Sequence, residues 1–322
     1  MTVDLVCSVC ETQYDAGKHE PWRCDCGNPL EYNYDPTAGA TEFRESGSSH
    51  LGGLWRFEEL IPVEQNVTLG EGFTPLVETS RWDVEFKLEY VFPSGSFKDR
   101  GATTVVSRAS EIGVSKLVDD SSGNAGSAIA MYAAQTDIDA EIFVPATVKR
   151  SKVQMIEDCG ATARRISGDR GDVTEACINA VEDGDTWYAS HAWNPGFFAG
   201  TETFGFEVIA QRDWIAPDAV VMGVGHGTLF LGAYRGFKRL YRMGIIDTMP
   251  RMLAAQADGY APIVESIRHS HSADSVNQLA DGIHIQNPPR GFQIIDAIES
   301  TGGDAINVSN LETERTVDKL HQ

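Results

Sequence analysis

Three short loops carry residue types that could bind and activate a small anionic molecule. SGSFK (residues 94–98) places Lys98 before a predicted helix, SSGNAG spans residues 121–126, and GVGHGT spans residues 223–228. A lysine amine can act as a nucleophile or a base. Glycine turns at helix starts direct backbone N–H groups towards an anion. The loops therefore indicate chemistry on a phosphate-bearing molecule, with Lys98 as the candidate reactive group.

Taken singly, two of these loops also have simpler interpretations. SGSFK alone is a capped helix start with an exposed lysine. GVGHGT is a weak nucleotide-binding fingerprint, because it lacks the final glycine spacing and no acidic residue follows at the distance that contacts a ribose. Its backbone can still approach a phosphate closely. The hypothesis depends on three such loops occurring together, each at a predicted helix start.

The elements that must position these loops follow an alternating pattern from about residue 50 onward. KLVDDSSGNAGSAIAMYAAQ predicts a strand, the second loop and a helix, and DAVVMGVGHGTLFLGAYRGFKRLYRMG repeats this order around the third loop. Alternating strands and helices with short connections are typical of a mostly parallel sheet covered on both faces. We therefore expect an α/β fold.

The last residues of the sequence predict a strand and a helix. DAINVSN reads as a strand finishing at Asn310, which would cap an amphipathic helix with Leu311, Val317 and Leu320 near one face. The sequence stops at Gln322 with no glycine or proline terminator. Either the final helix frays there, or the sequence is a fragment.

Four cysteines are crowded near the N-terminus, in the order Cys7, Cys10, Cys24 and Cys26. Two tight turns that each offer two sulfurs can surround Zn²⁺ tetrahedrally, and four filled places leave none open for catalysis. Gly27 can help backbone amides turn towards a sulfur. We predict a structural zinc ribbon in residues 1–45. His19 could replace one ligand, and the alternative is four reduced cysteines in a floppy terminus.

The charge of the chain limits its partners. Its 322 residues include 26 basic and 47 acidic side chains, for a formal net charge of −21, which would repel nucleic acid and anionic membranes. A dispersed acidic, lysine-poor surface suits high salt, so we predict a halophilic protein; an ordinary acidic mesophilic protein is the alternative. No apolar run approaches the roughly 20 residues that span a bilayer. The N-terminus lacks signal-peptide features, so we expect a cytoplasmic protein.

A family resemblance covers nearly the whole chain. PSGSFKDRG, SSGNAG and the third loop, in that order, resemble pyridoxal-phosphate enzymes of the tryptophan synthase β fold, also called fold type II. The sequence is most similar to threonine synthases, over LWRFEEL and LGEGFTPL before the lysine and NPGFFAGTETFGFEV, MGIIDTMPRMLAAQADGYAP and LADGIHIQNP after it. A zinc-ribbon start also occurs in relatives of this family.

The resemblance implies an arrangement of domains. Two three-layer αβα domains with mostly parallel sheets would follow the zinc-ribbon-like appendage. The large cofactor-binding domain would comprise residues 46–102 and 197–322, and a small mobile domain, residues 103–196, would close over the substrate. A homodimer is expected from the resemblance alone. Relatives also continue beyond the last helix with a segment that carries the hydroxyl partner of the pyridine nitrogen, which this sequence is expected to lack.

The resemblance also implies a role for each loop. Lys98 would bind pyridoxal phosphate covalently and then transfer protons. Asn124 would hydrogen-bond the 3′-oxygen of the cofactor. Two further sets complete the expected site: the cofactor phosphate would contact Gly225, His226, Gly227 and Thr228, with Gly223 shaping the turn, and the substrate carboxylate would contact Ser121, Ser122 and Ala125. His191 is either a further substrate contact or a hydrogen-bonded core histidine.

The sequence departs from the family pattern where relatives grip a substrate phosphate. Phe197 stands where relatives commonly carry an arginine, and His191 stands in place of an asparagine. The resemblance implies conversion of O-phosphohomoserine and water to threonine and phosphate by a lyase. Arg100, Arg150 or His191 could replace the missing contact. The departures favour a serine/threonine ammonia-lyase or a β-replacement synthase as the alternative, and a truncated, non-catalytic relative is a third hypothesis.

Overall fold

The computed structural model describes residues 2–35, 52–184, 186–269 and 275–320. Its strands are β1 (Leu5–Cys7), β2 (Gln13–Tyr14), β3 (Leu30–Tyr32), β4 (Leu76–Glu78), β5 (Glu85–Lys87), β6 (Lys116–Asp119), β7 (Asp139–Pro145), β8 (Thr162–Ile166), β9 (Trp187–Tyr188), β10 (Ala219–Gly223), β11 (Arg251–Ala257) and β12 (Asp304–Val308). Its α-helices are α1 (Lys98–Glu111), α2 (Asn124–Ala133), α3 (Arg150–Asp158), α4 (Arg170–Glu182), α5 (Pro195–Gln211), α6 (Thr228–Arg242), α7 (Pro262–Arg268), α8 (Gly291–Ser300) and α9 (Asn310–Leu320). Residues Gly53–Leu60 and Asp281–Ile283 form 3₁₀ helices.

The first parallel sheet has the strand order β8-β7-β6-β9 and is covered on both faces. Leu117 and Ile142 point to the face that packs against α1, α2 and α3. Val118 and Phe143, one residue further along each strand, pack with Cys177 of α4 on the other face. Continuous apolar strands of this kind are what a sheet buried on both sides requires.

The second parallel sheet has the order β10-β11-β12. Met252 and Ala254 of β11 belong to the core that these strands share with α5, α6, α7 and α8. Residues on the opposite face are less covered, and Val221 and Ile306 remain 67% and 50% exposed. The predicted α/β fold with parallel sheets is confirmed.

Helix α5 links the two halves of the fold through unusually close helix contacts. A Cβ atom at Gly200 would lie 1.8 Å from the carbonyl oxygen of Arg100 in α1, and one at Gly232 of α6 would lie 2.1 Å from Oγ1 of Thr201. Only glycine permits such approaches. The helix that begins at Lys98 and the helix that follows the third loop are therefore held against the same central helix.

The N-terminal strands form a separate antiparallel sheet of order β2-β1-β3, with a core of Leu5, Cys7, Cys24 and Leu30. Glu31 of β3 joins this unit to the rest of the chain. It accepts hydrogen bonds from Arg235 at 2.6 and 2.8 Å and from Arg290. Burial alone would raise the pKa of Glu31, but the two arginine charges outweigh it and hold the pKa at about 2. The predicted boundary between residues 45 and 46 lies outside the described residues.

The start of α9 corrects one prediction from the sequence. The helix begins at Asn310, but its cap is Ser309: the Glu312 N–H donates to Ser309 Oγ, and the Ser309 N–H donates to the Glu312 carboxylate. The Asn310 side chain instead accepts the N–H groups of Gln278 and Leu279. The prediction of Asn310 as the cap was wrong because this asparagine bonds to a loop more than 30 residues away.

Among the residues that the structure describes, no helix combines the length and the apolar character needed to cross a bilayer.

Candidate active site

A cavity of about 1040 Å³ brings two of the three loops together. The predicted site residues that line it are Lys98, His191, Gly223, Gly225, His226, Gly227 and Thr228. The second loop does not line this cavity: Ser121, Ser122, Asn124 and Ala125 lie at the junction of β6 and α2. Asp119, two residues before this loop, nevertheless interacts electrostatically with Lys98, because its charge raises the pKa of the lysine.

Lys98 is the first residue of α1 and is held by a tight preceding turn. The Ser94 N–H donates to Asp99 Oδ2 at 2.9 Å, and Nζ of Lys98 lies 4.0 Å from the centroid of the Phe97 ring. Burial lowers the pKa of Lys98 from 10.5 to about 8, against the opposing effect of Asp119. A lysine attacks a carbonyl only as the neutral amine, so this environment makes the reactive form accessible near neutral pH.

Two acids that the sequence analysis missed stand at the entrance to the second loop. Asp119 is fully buried, and its Oδ2 accepts the Ser121 N–H at 3.0 Å. Burial, reinforced by the charge of Asp120, raises the pKa of Asp119 to about 8. The loop folds tightly over this point, since a Cβ atom at Gly126 would lie 1.9 Å from the Ser121 carbonyl oxygen. The signal in the sequence was a pair of acids directly after the apolar residues Leu117 and Val118.

The third loop meets His191 at the cavity wall. The Thr228 hydroxyl donates to the His191 carbonyl at 3.1 Å, and the rings of His191 and His226 lie 4.9 Å apart between centroids. Burial lowers the pKa of His226 to about 4, with further lowering by the charges of Lys98 and Arg170. Both Nδ1 atoms are buried without a hydrogen-bond partner among the described residues. Two histidines with lowered pKa values and unused Nδ1 atoms thus line the cavity that also contains Lys98.

The structure tests the three residues expected to replace the family's arginine. Arg100 was the wrong choice: it is fully buried and its guanidinium donates to Glu89 and Glu207 at 2.5 to 2.9 Å. Arg150 is exposed at the start of α3 and does not line the cavity. His191 does line the cavity and is 6% exposed.

The residue at the arginine's own position belongs to the core. Phe197 is fully buried, and its Cδ1 atom lies 1.8 Å from where a Cβ atom at Gly101 would be. The aromatic ring and the glycine are therefore complementary. The Phe197 side chain therefore offers no group that could bind an anion.

Comparison with known proteins places these loops in a family. A family model described as pyridoxal-phosphate dependent enzyme matches residues 67–322. The chain belongs to this family. Among its curated relatives, a threonine synthase of Methanosarcina acetivorans is 30% identical over 96% of this chain and 79% of its own length. A threonine synthase of Methanocaldococcus jannaschii is 31% identical over 95% of this chain and 79% of its own.

Solved structures of related enzymes share the fold. Maize serine racemase superimposes with a TM-score of 0.63 at 21% identity, over 85% of this chain and 78% of its own. The processed form of threonine deaminase isoform 2 from Solanum lycopersicum gives a TM-score of 0.63 at 19% identity, over 86% of this chain and 73% of its own. The predicted class, a fold type II enzyme with a small N-terminal appendage, is thereby confirmed.

The residues of the cavity fit pyridoxal phosphate on structural grounds. Lys98 offers an amine with a lowered pKa. Gly227 has a φ of +77°, and a Cβ atom there would lie 2.4 Å from Ile294 Cδ1, so only glycine lets the backbone form this cradle before α6. The Nδ1 atom of His226, which has no hydrogen-bond partner among the described residues, is a further polar group that could contact a ligand. The individual roles expected for the loop residues remain predictions.

The four N-terminal cysteines also come together. One sulfur from each of Cys7, Cys10, Cys24 and Cys26 lies within 4.8 Å of the others. The Tyr14 hydroxyl and the Asn28 amide donate to Cys24 and Cys26 sulfurs, each at 3.2 Å. Supporting donors of this kind orient thiolate ligands around a metal. His19 is not part of the cluster. The arrangement suits tetrahedral Zn²⁺, and its occupancy is a prediction.

Replacing one cluster cysteine should remove a metal. We expect about one zinc ion per chain in the purified protein and less than about 0.2 in the Cys24→Ser variant, because three thiolates hold zinc far more weakly than four. Elemental mass spectrometry of the purified protein measures the number of zinc ions per chain. Cys159→Ser is the matched control, since this half-buried thiol lies outside the cluster. A wild-type protein purified and refolded with zinc that retains none would contradict the prediction.

Proposed function

We propose that the protein is a pyridoxal-phosphate-dependent lyase that converts O-phosphohomoserine and water into threonine and phosphate. The observation that carries the proposal is the similarity to threonine synthases along 95–96% of the chain. The cavity adds a lysine, a glycine cradle and two neutral histidines in one place. A homodimer, a halophilic origin and a cytoplasmic location remain expectations from the sequence.

Each loop would contribute a distinct action. When bound, pyridoxal phosphate supplies an electron sink that stabilises a carbanion next to the substrate amine. Lys98 would anchor the cofactor and then move protons at the substrate carbon atoms, for which its lowered pKa suits it. Gly225, His226, Gly227 and Thr228 would hold the cofactor phosphate at the start of α6, after the turn at Gly223.

The second loop would complete the substrate site. Asn124 would orient the cofactor through its 3′-oxygen. Ser121, Ser122 and Ala125 would bind the substrate carboxylate through hydroxyl and N–H groups at the start of α2. Because this loop lies outside the cavity that holds Lys98, its approach would require the small mobile domain, residues 103–196, to close over the substrate and exclude water.

One observation favours a second candidate function. Phe197 occupies the place of the expected arginine, and Arg100 is ion-paired with two carboxylates. Neither position therefore offers a cation to a substrate phosphate. An ammonia-lyase acting on serine or threonine, or a β-replacement synthase, would have no need of such a cation. A non-catalytic relative is the third candidate, and it predicts a protein without cofactor.

A substrate panel on the cofactor-loaded protein tests these functions. We expect release of phosphate and formation of threonine from O-phosphohomoserine, with little 2-oxo acid from free threonine. The readouts are a phosphate assay and chromatography of the amino acids. Formation of 2-oxobutyrate from threonine without phosphate release would favour the second function. A colourless protein that takes up no cofactor on reconstitution would contradict both enzyme functions.

A further inference from the structure

Arg170, the first residue of α4, is a half-exposed cation fixed at the edge of the candidate site. Its Nη2 donates to Asp120 Oδ2 at 2.8 Å, and its Nη1 donates to the Asp120 backbone carbonyl. The same carboxylate accepts the hydroxyl groups of Thr174 at 2.6 Å and Tyr188 at 3.0 Å. Asp120 is 3% exposed, whereas the Arg170 side chain is 48% exposed. A buried anchor thus holds an accessible guanidinium.

The anchor places Arg170 next to the groups of the proposed site. Asp120 directly precedes Ser121, the first residue of the second loop. The charge of Arg170 also reaches the opposite side of the site: after burial, it is among the causes that lower the pKa of His191 and of His226. Arg170 does not line the cavity itself. Through Asp120 it is held beside the second loop, which would approach the cavity when the small domain closes.

Three other cations near the cavity are already occupied. Lys87 donates its three N–H groups to the Thr74 carbonyl, Glu207 and Gln211. Arg212 is ion-paired with Glu85, and its side chain is 26% exposed, about half as much as that of Arg170. Arg100 is paired with two carboxylates. A guanidinium has five N–H groups, and Arg170 uses two of them on Asp120. It retains donors for a ligand in a protein whose net charge of −21 otherwise repels anions.

We propose that Arg170 is the specificity-determining cation that binds the phosphate of the phosphorylated amino-acid substrate. The inference rests on the proposed function and names the residue that substitutes for the arginine replaced by Phe197. A guanidinium already oriented by one carboxylate can offer its remaining N–H groups to phosphate oxygens with little further loss of side-chain freedom. Asp120, Thr174 and Tyr188 act as positioning residues behind it.

The test compares Arg170→Gln with wild type as cofactor-loaded full chains. For Arg170→Gln we expect the KM for O-phosphohomoserine and the half-inhibiting concentration of inorganic phosphate to rise about 10- to 100-fold. This corresponds to about 1.4 to 2.8 kcal/mol at about 1.4 kcal/mol per tenfold. The dissociation constant of threonine, which lacks the phosphate, should change less than about twofold, measured from the visible spectrum of the bound cofactor.

The matched control is Arg164→Gln. Arg164 lies on β8, in the sheet against which α4 packs. Its side chain is 53% exposed and is paired with Glu141 at 3.5 Å. This variant should leave all three constants unchanged. Arg170→Lys keeps the charge but loses the planar fork, so it should recover part of the phosphate affinity.

Three results would overturn the inference, and they have different meanings. Wild-type turnover of O-phosphohomoserine with an unaffected Arg170→Gln variant rejects the role of Arg170 and leaves the proposed function intact. An equal loss of affinity for threonine and for phosphate in both Arg170 variants means that the ion pair only holds α4 in place. A wild-type protein that releases no phosphate from O-phosphohomoserine overturns the proposed function and this inference together.

Discussion

Replacing Lys98 with alanine is expected to give a folded protein that does not retain pyridoxal phosphate and has lost at least about 10³-fold in activity. Lys98 would supply both the covalent attachment and the proton transfer, and a positioned acid–base group alone contributes about 10²- to 10⁴-fold. Its helix should remain intact because alanine has the highest helix propensity. The measurement is the visible absorbance of the reconstituted protein, followed by mass spectrometry after borohydride reduction.

The control for this variant is an exposed lysine on another helix. Lys152→Ala, on α3, should keep the full visible absorbance and activity. Borohydride should fix one cofactor molecule on the wild-type peptide that contains Lys98. A Lys98→Ala protein that still carries a covalently fixed cofactor, at whatever lysine, would contradict the role given to this residue.

The second large effect concerns the stability of the fold around Lys98. Glu207 is fully buried and accepts hydrogen bonds from Arg100 at 2.5 and 2.9 Å, from Lys87 at 2.7 Å and from the Thr74 N–H at 3.2 Å. Burial opposes ionisation of Glu207, but the charges of Arg100 and Lys87 hold its pKa at about 2. Two buried cations thus share this carboxylate, and Arg100 has Glu89 as a second acidic partner.

Glu207→Leu should therefore destabilise the protein by about 3–5 kcal/mol, because two cations would be left in a dry interior with one fewer carboxylate. For a chain of this size we expect the melting temperature to fall by about 5–15 °C. Differential scanning calorimetry in the buffer used for activity measures this. Glu182→Leu is the control: its ion pair with Arg23 spans 3.9 Å and both side chains are half exposed, so its loss should cost at most about 1 kcal/mol. Similar losses in the two variants would contradict the assignment.

Features of the site that depend on neighbouring residues could be predicted from the sequence. Lys98 at a helix start and the glycines before α6 follow local rules, since a turn with a positive φ selects glycine wherever it occurs. The cysteine cluster was similarly accessible, because two short turns determine where the sulfurs point. The parallel sheets followed from the alternation of apolar strands and helices.

Features that depend on distant partners could not be predicted. Nothing near Arg170 in the sequence indicates that it would bond to Asp120, which lies 50 residues away. Arg100 was one of three residues considered as a replacement contact for the substrate phosphate, but its partner Glu207 is 107 residues further along the chain. Asn310 was expected to cap a helix, but its side chain accepts a hydrogen bond from a loop earlier in the chain. Each error came from reading a polar side chain without knowing what the fold brings to it.

The separation of Arg100 from Glu207 also has a consequence for synthesis of the protein on the ribosome. At about 5–20 residues per second, the 107 residues between them take about 5–20 s to translate. During that interval α1 has not met α5, so the ion pairs between Arg100, two residues after Lys98, and Glu207 cannot form. A nascent chain that ends before α5 and the third loop, residues 223–228, should therefore be unable to hold the cofactor, and loading would follow the emergence of both from the exit tunnel.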